Sequence, residues 1–309
     1  MTGFEPATPR PPGVYATRLR YIPYFFQDNF FKLISKLLIY IILYTMKNIL
    51  FFLIFFQSLS FDLQVNNVEY NNPLEKKKRV LIFTKNGLSV DGKKGYVHKN
   101  IANSIKALGE ICEAENIDFD SSEDSSLFNQ LTLSKYDAII FSNSNNEVFD
   151  NDEQKIAFQN FIKKGGGFMA IHSASAVERD WPWYWSLVGG KFVRHAPYQE
   201  FDAVVVNKKH SSTYFLDKVW KVKDECYFFN NLNPKINVLL ASDLGTIEDD
   251  KKVEYPNDIF GNYFPLCWSN EFEGARQWYT ALGHDAATYD DPTFRKHLKG
   301  GMLWVLNLD

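Results

Sequence analysis

The chain has 309 residues, a formal net charge of −3 and a pI near 6.1, so its length suits one large α/β domain or two small ones, and it lacks the basic field that nucleic-acid binding requires. Three cysteines, an odd number without metal-type spacing, argue against a disulfide framework. Aromatic residues make up 16% of the sequence, which suits stacking on sugar rings as well as core packing.

The N-terminal region does not have the pattern of a folded domain. We interpret residues 1–45, which begin with a non-periodic stretch rich in Pro and Arg, as a non-native or disordered extension. From Met46 the sequence is typical of a secretory signal over residues 46–60, because Lys47 supplies a positive charge and residues 49–56 are apolar. This pattern predicts a protein that is periplasmic or secreted.

A membrane anchor is the alternative interpretation of the same region. It would join the apolar residues 37–46 to residues 49–56, although Lys47 interrupts the ~20 apolar residues that a spanning helix needs. A polar, Asn-rich linker follows over residues 61–78, and we predict a single domain over residues 79–309. Any contact with a membrane is expected only through the N-terminal segment.

The first part of this domain alternates between strands and helices. Residues 79–84, 136–142 and 168–171 are short apolar runs typical of buried strands, whereas residues 100–115 and 152–164 have the apolar spacing of amphipathic helices. This order predicts right-handed crossovers and a parallel sheet. Further strands are predicted at residues 201–206, 236–241, 264–268 and 277–282, with a closing helix over residues 292–306.

Four histidines lie at predicted strand ends or loop junctions. His172 ends the strand that follows the glycine hinge at residues 165–167, and His98, His195 and His284 each follow a strand or a glycine-rich turn. Loops that leave one edge of a sheet converge, so these histidines are expected to share a cleft, where imidazoles bind Zn or a similar divalent metal or exchange protons. Alternatively, they are unrelated residues that cap helices or bond to the backbone.

Other polar and aromatic residues are candidates for the same cleft. Asp224 and Glu225 precede Tyr227 in a segment without helical periodicity, where a carboxylate could orient an imidazole, complete a metal site or bind sugar hydroxyls, or simply lie in a solvated turn. Arg276 could pair with an anion or form a structural ion pair. The aromatic cluster at residues 181–185 suits a sugar ring, but it could equally dock a partner domain or a second subunit.

Taken together, these motifs resemble the ThuA-like family, named for trehalose utilisation, over residues 79–306. The motifs that carry the resemblance are residues 80–84, 165–175, 187–192 followed by His195, 224–227, 274–284, 291–294 and 300–304. The resemblance implies an α/β fold, a flavodoxin-like three-layer sandwich of the class I glutamine amidotransferase type with a mostly parallel central sheet. It also implies catabolism of disaccharides or 3-keto-glycosides. Amidotransferases carry a cysteine nucleophile after the strand equivalent to residues 168–171, whereas this chain has His172 and Ser173 there, which excludes thiolate acyl transfer.

We therefore predict an exported enzyme that acts on a small carbohydrate as a metal-assisted lyase, hydrolase or isomerase. The alternative is a non-catalytic carbohydrate-binding module or protein-interaction domain, and a homo-oligomer is compatible with either. The expected metal ligands are His98, His172, His195 and His284, and the expected catalytic residues are His172, Glu225 and His284. The residues expected to bind the sugar are Trp183, Tyr184, Trp185, Asp224, Tyr227 and Arg276.

Overall fold

The computed structural model describes residues 34–49, 77–251 and 261–309. The chain divides into two compact units, residues 1–71 and residues 72–309, and each is described by itself.

In the first unit, residues 34–49 form a helix, α1, whose side chains are exposed. Helix α1 runs through Met46, so it crosses the boundary expected between residues 45 and 46. Residues 50–60 of the expected signal segment and most of the expected linker lie outside the described residues. Nowhere in the described segments is a helix both long and apolar enough to cross a membrane.

The second unit contains eleven strands and five helices in its described residues, besides short 3-10 turns. The strands are β1 Arg79–Phe83, β2 Asp118–Ser122, β3 Ala138–Ser142, β4 Gly167–Ile171, β5 Lys191–His195, β6 Gln199–Val205, β7 Val219–Asp224, β8 Tyr227–Asn230, β9 Asn237–Asp243, β10 Tyr263–Phe272 and β11 Ala275–Thr280. The helices are α2 Ile101–Ala114, α3 Gln130–Leu133, α4 Asp152–Lys163, α5 Pro182–Val188 and α6 Pro292–Val305.

Nine of these strands form one sheet in the order β2-β1-β3-β4-β11-β10-β9-β6-β7. The strands from β2 to β11 pair in parallel, and the strands from β10 to β7 extend the sheet by antiparallel pairing. Because β10 and β6 alone run against the others, the strand directions of the sheet are mostly parallel. Strands β5 and β8 form a separate antiparallel ribbon.

Alternate side chains of β3 show that helices cover both faces of the sheet. The Ser142 hydroxyl donates to the Ser104 hydroxyl on α2 at 3.0 Å, whereas the ring of Phe141 stacks on Phe158 of α4 and on Tyr184 of α5. Since successive side chains of a strand point to opposite faces, α2 lies on one face and α4 and α5 on the other. The fold is therefore the predicted flavodoxin-like three-layer sandwich.

The apolar runs correctly located the central strands, but several peripheral elements were missed. Strand β2 is an edge strand of sequence Asp-Phe-Asp-Ser-Ser, whose polar residues are only partly covered. The β5 strand and its partner β8 were not predicted as strands. The aromatic cluster at residues 181–185 proves to be part of the short helix α5, which begins with Pro182 at its first position, where the ring's fixed φ suits a helix start.

Candidate functional site

His172 stands at a sharp turn directly after β4. Its φ is +53°, a left-handed conformation that costs a residue with a Cβ atom about 1–3 kcal/mol and persists only where the surroundings impose it. Here the hydroxyls of Tyr279 and Ser175 donate to the His172 carbonyl at 3.0 and 3.2 Å. The turn therefore holds the imidazole at the carboxyl edge of the sheet, at the place where open α/β sheets bind ligands.

The tautomer of His172 follows from its surroundings. Its Nδ1 atom lies 2.6 Å from the carbonyl oxygen of Ala281, and because a carbonyl only accepts, Nδ1 carries the proton. The Nε2 atom therefore presents a lone pair. Three polar atoms crowd this one lone pair: His98 Nε2 at 3.1 Å, the Tyr227 hydroxyl at 2.8 Å and His284 Nδ1 at 3.4 Å.

Glu225, in the turn between β7 and β8, joins the histidines through both of its carboxylate oxygens. Its Oε2 atom lies 3.2 Å from His284 Nδ1 and 3.7 Å from His172 Nε2. Its Oε1 atom lies 3.4 Å from Nδ1 of His195. The carboxylate thus lies between two histidines on one side and a third on the other.

We call the four residues His98, His172, Glu225 and His284 the His–Glu cluster, since one ligand atom from each lies within 4.8 Å of all the others. Two atoms that each bind a tetrahedral ion at ~2.1 Å are about 3.4 Å apart, close to the separations of 3.1 Å between His98 and His172 and 3.2 Å between His284 and Glu225. Three imidazole nitrogens and one carboxylate oxygen are a donor set that suits Zn and related transition metals. The four ligand atoms, all within 4.8 Å of one another, could therefore hold a divalent ion.

Burial keeps two of these imidazoles neutral. Desolvation lowers the pKa of His98 to about 4, helped by the nearby His284, and lowers the pKa of the fully buried His172 well below its usual value. Both rings can therefore offer lone pairs at neutral pH. The hydrogen bond with Glu225 instead raises the pKa of His284.

Two buried residues hold the loops that supply the cluster. The Asp224 carboxylate accepts the backbone N–H groups of Gly283 and Glu225 at 2.8 Å each, and burial raises its pKa to about 7. Asn100, just before α2, donates its amide hydrogens to the carbonyl oxygens of Gly283 and His284. Asp224 was expected to bind the sugar, but its oxygens are occupied by the backbone and it is buried, so it supports the loops instead.

The cluster opens into a cavity of about 620 Å³, a volume within the ~300–1,000 Å³ range of small-molecule sites. We call this cavity the cleft. Its lining residues are Tyr96, His98, Asn145, Ser173, Ala176, Arg179, Phe192, Val193, Arg194, His195, Glu225, Tyr227, Lys251 and His284. His195 was expected among the metal ligands but lies outside the His–Glu cluster, with its side chain 43% exposed in the cleft.

The aromatic cluster of α5 does not line the cleft. Tyr184 is fully buried and donates its hydroxyl to the carbonyl of Ala174. The indole of Trp183 packs on Phe272 and donates to Glu273. The indole N–H of Trp185 donates to the carbonyl of Glu178, and Lys191 lies over its ring. The structure therefore places Trp183, Tyr184 and Trp185, which were expected to line the sugar site, in the packing around α5 and not in the lining of the cleft.

Arg276 is also outside the cleft. It donates to the backbone carbonyl of Trp304 at 3.1 Å and pairs with the Asp309 carboxylate at 2.9 Å. Because Arg276 lies near the start of β11 and His284 follows the end of that strand, the two residues lie at opposite edges of the sheet. Arg276 thus forms a structural pair with the C-terminal residues rather than a substrate contact.

Tyr96 and Phe192 supply aromatic rings to the wall of the cleft, where the residues of α5 do not. Tyr96 is 60% exposed and its ring lies parallel to that of His284. Phe192 lies 4.5 Å from the ring of Tyr227 and 5.7 Å from the guanidinium carbon of Arg179, measured to ring centres. The sequence offered one signal for each of these residues. Tyr96 lies in the glycine-rich loop, and Phe192 ends the Gly-Gly-Lys-Phe turn.

Comparison with known proteins agrees with this fold. The family ThuA, described as trehalose utilisation, matches residues 79–305. No curated protein sequence matches the chain.

Three solved structures share the fold with this chain. A ThuA-like protein of Bacteroides uniformis is 19% identical, with 74% of this chain and 92% of that one covered and a TM-score of 0.58. A ThuA-like protein of Parabacteroides merdae is 20% identical, with 75% and 90% covered and a TM-score of 0.58. A cytoplasmic protein of Salmonella typhimurium LT2 is 11% identical, with 74% and 99% covered and a TM-score of 0.50. The match to the family extends over most of the sequence, and the chain belongs to the ThuA family.

Proposed function

We propose that this protein is a metal-dependent enzyme of carbohydrate catabolism, in which the His–Glu cluster binds one divalent ion at the floor of the cleft. The observation that carries the proposal is the convergence of His98, His172, Glu225 and His284 within 4.8 Å. The single lone pair of His172 Nε2 can accept only one good hydrogen bond, yet three polar atoms surround it. A shared cation would accept one lone pair from His172 and one from each of the two neighbouring imidazole nitrogens, those of His98 and His284. The carbohydrate class comes from membership of the ThuA family.

The hydrogen bonds around the cluster favour metal binding. The Ala281 carbonyl fixes the proton of His172 on Nδ1, and the Ser173 hydroxyl lies 3.3 Å from His98 Nδ1. Each of these contacts turns Nε2 of its histidine towards the cluster. Partners of this kind set the orientation of metal-ligating imidazoles and raise their basicity. A divalent ion, when bound there, would polarise a carbonyl or hydroxyl oxygen of the sugar.

His195 is suited to proton transfer next to the cluster. Its Nδ1 atom contacts the Ala196 carbonyl at 2.9 Å and Glu225 Oε1 at 3.4 Å, so Nδ1 carries the proton and Nε2 is the basic nitrogen. Nε2 makes no hydrogen bond within the described residues. In the proposed reaction His195 accepts a proton from a carbon or hydroxyl of the sugar and returns it later, while Glu225 keeps the ring oriented. Such a role fits a lyase, a hydrolase or an isomerase.

The test combines metal content with turnover. The purified protein is incubated with Zn, Mn, Fe or Co salts, desalted and analysed for bound metal, and its turnover of disaccharides and 3-keto-glycosides is measured. We expect about one ion per chain, and loss of both metal and turnover in His172→Asn, because Asn tolerates the left-handed turn but removes the imidazole. His195→Gln is the matched control, which should keep the metal and lose turnover. A parent protein without bound metal, or a His172→Asn variant with full turnover, would refute the proposal, and sugar binding without turnover would indicate a binding module.

A further inference from the structure

The cleft contains a guanidinium that the His–Glu cluster does not use. Arg179 lines the cleft and is half-buried. Its Nε–H group donates to the carbonyl oxygen of Ala176 at 3.3 Å, and its guanidinium carbon lies 5.7 Å from the centre of the Phe192 ring. These two contacts fix the plane of the guanidinium. Neither of them compensates its charge.

The carboxylate next to Arg179 in the sequence is engaged elsewhere. Glu178 is fully buried, and its Oε1 atom accepts the backbone N–H groups of Val148 and Phe149. Its Oε2 atom pairs with the ammonium of Lys155 at 2.6 Å. Among the residues that the structure describes, no carboxylate lies within ion-pair distance of Arg179. An arginine held in a cavity without a carboxylate partner is suited to bind an anion from solution.

Most of the charged side chains that line the cleft within the described residues are positive. Arg194 and Lys251 also line it, and Glu225 is the one carboxylate in the lining. The Asp249 carboxylate pairs with Arg194 at 2.9 Å, and the Glu225 carboxylate contacts the histidines. Neither carboxylate therefore neutralises the charge of Arg179. A divalent ion in the His–Glu cluster would add further positive charge. The cleft therefore attracts anions over neutral molecules.

Arg179 lines the same cavity of about 620 Å³ as His98, Glu225 and His284, so one small molecule that fills the cavity can contact both ends. The Phe192 ring, which faces the guanidinium, lies 4.5 Å from the ring of Tyr227, and the Tyr227 hydroxyl lies 2.8 Å from His172 Nε2. Phe192 and Tyr227 thus form a continuous wall of the cleft from the guanidinium to the cluster. Phe192 and the exposed Tyr96 offer apolar faces for a sugar ring in between.

We propose that the substrate is an anionic sugar, whose carboxylate or phosphate group pairs with Arg179 while its reacting carbon faces the His–Glu cluster. This inference rests on the proposed function, because it takes the cluster as the reacting end of the cleft. Arg179 is then the residue that selects a charged sugar over its neutral parent. The planar guanidinium can form two parallel hydrogen bonds to either anion.

The experiment is calorimetric titration of the full chain with glucuronate, glucose 6-phosphate and glucose at constant ionic strength. We expect one of the two anionic sugars to bind at least tenfold more tightly than glucose, which identifies carboxylate or phosphate as the recognised group. Arg179→Gln should weaken binding of that anion roughly 10- to 100-fold and leave glucose binding unchanged. The affinity of Arg179→Lys for the anion should lie between those of the parent and of Arg179→Gln, because lysine keeps the charge but lacks the planar guanidinium. Lys221→Gln, at an exposed lysine paired with Asp202, is the control and should change nothing.

Equal binding of glucose and both anions, or unchanged anion binding by Arg179→Gln, would overturn the inference. Metal content measured on the same samples separates this failure from failure of the proposed function. A parent protein that binds metal without preferring an anion overturns this inference alone. A parent protein that binds no metal overturns the proposed function, whereas an anion preference that depends on Arg179 would still be seen.

Discussion

The Nε2 atoms of His98 and His172 lie 3.1 Å apart, although the two residues are 74 positions apart in the chain and both rings are buried. His172 Nε2 carries no proton, because Nδ1 donates to the Ala281 carbonyl. Either His98 Nε2 carries a proton and donates to the lone pair of His172, or a cation lies between the two nitrogens. This pair is therefore the most direct probe of metal binding in the protein.

Metal binding should raise the thermal stability of the protein. A ligand that binds only the folded state at 100 times its Kd adds about 2.7 kcal/mol, which for a domain of this size corresponds to a rise in Tm of roughly 5–10 °C. Differential scanning calorimetry with Zn²⁺ and with excess chelator measures this rise. His172→Asn should show no difference between the two conditions. An equal rise in parent and variant would place the bound ion elsewhere.

Asp224→Asn should weaken metal binding although Asp224 is not a ligand of the cluster. The substitution replaces an oxygen that accepts the backbone N–H groups of Gly283 and Glu225 by a group that can itself donate. We expect a loss of about 1–3 kcal/mol in the free energy of unfolding and a roughly 10-fold or greater rise in the Kd for Zn²⁺. Chelator competition and urea denaturation measure the two effects. Asp202→Asn, at a surface ion pair with Lys221, should change neither.

His297 should make the protein less stable in acid. It is fully buried in α6, donates from Nδ1 to the Ser212 carbonyl, and has a pKa lowered by burial to about 4. Because the unfolded chain binds this proton near pH 6.5, the stability that the neutral ring contributes is complete above pH 6.5 and is lost as the pH falls towards 4. The loss is roughly 3 kcal/mol.

Urea denaturation between pH 4 and pH 7.5 measures this dependence. In His297→Asn, which keeps a donor near the Nδ1 position, the free energy of unfolding should fall less steeply with acidification than in the parent. Parallel pH profiles for the two proteins would contradict the assignment.

Sugar binding should depend on Phe192 and not on Trp183. Phe192 lines the cleft, so Phe192→Ala should weaken carbohydrate binding roughly fivefold, since a stacked aromatic ring contributes about 1 kcal/mol. Trp183 packs on Phe158 and Phe272, so Trp183→Ala should cost roughly 3 kcal/mol of stability and leave sugar affinity unchanged. Titration and denaturation of both variants test this contrast. The reverse pattern would restore α5 to the binding site.

The parts of the site that could be predicted are those that depend on strand periodicity. A fully buried parallel strand is a continuous apolar run, so the end of β4, and with it His172, could be located from the sequence, and the glycine turn before His284 was informative in the same way. Gly283 has a φ of +122°, and a Cβ atom there would lie 2.7 Å from the Tyr289 hydroxyl.

The parts that could not be predicted depend on side-chain direction. Composition does not tell whether an aromatic residue faces the core or a cavity, so Trp183 and Tyr184 were assigned to the cleft, whereas Tyr96 and Phe192 were missed. His195 was predicted to be a metal ligand because it follows a glycine-rich turn. It is the last residue of β5, which belongs to the β5–β8 ribbon and not to the main sheet. Distances between loops on different layers do not follow from periodicity.

The position of β11 has a consequence for how the protein folds. Strand β11 lies beside β4 in the sheet, with Gln277 opposite Phe168. In the sequence, however, the six strands β5 to β10 come between them. His98 and His172 thus precede these strands in the sequence, whereas His284 follows His172 by 112 residues. Contacts of such long range form slowly. Until β11 docks, β4 has no strand partner on that side and the His–Glu cluster lacks His284.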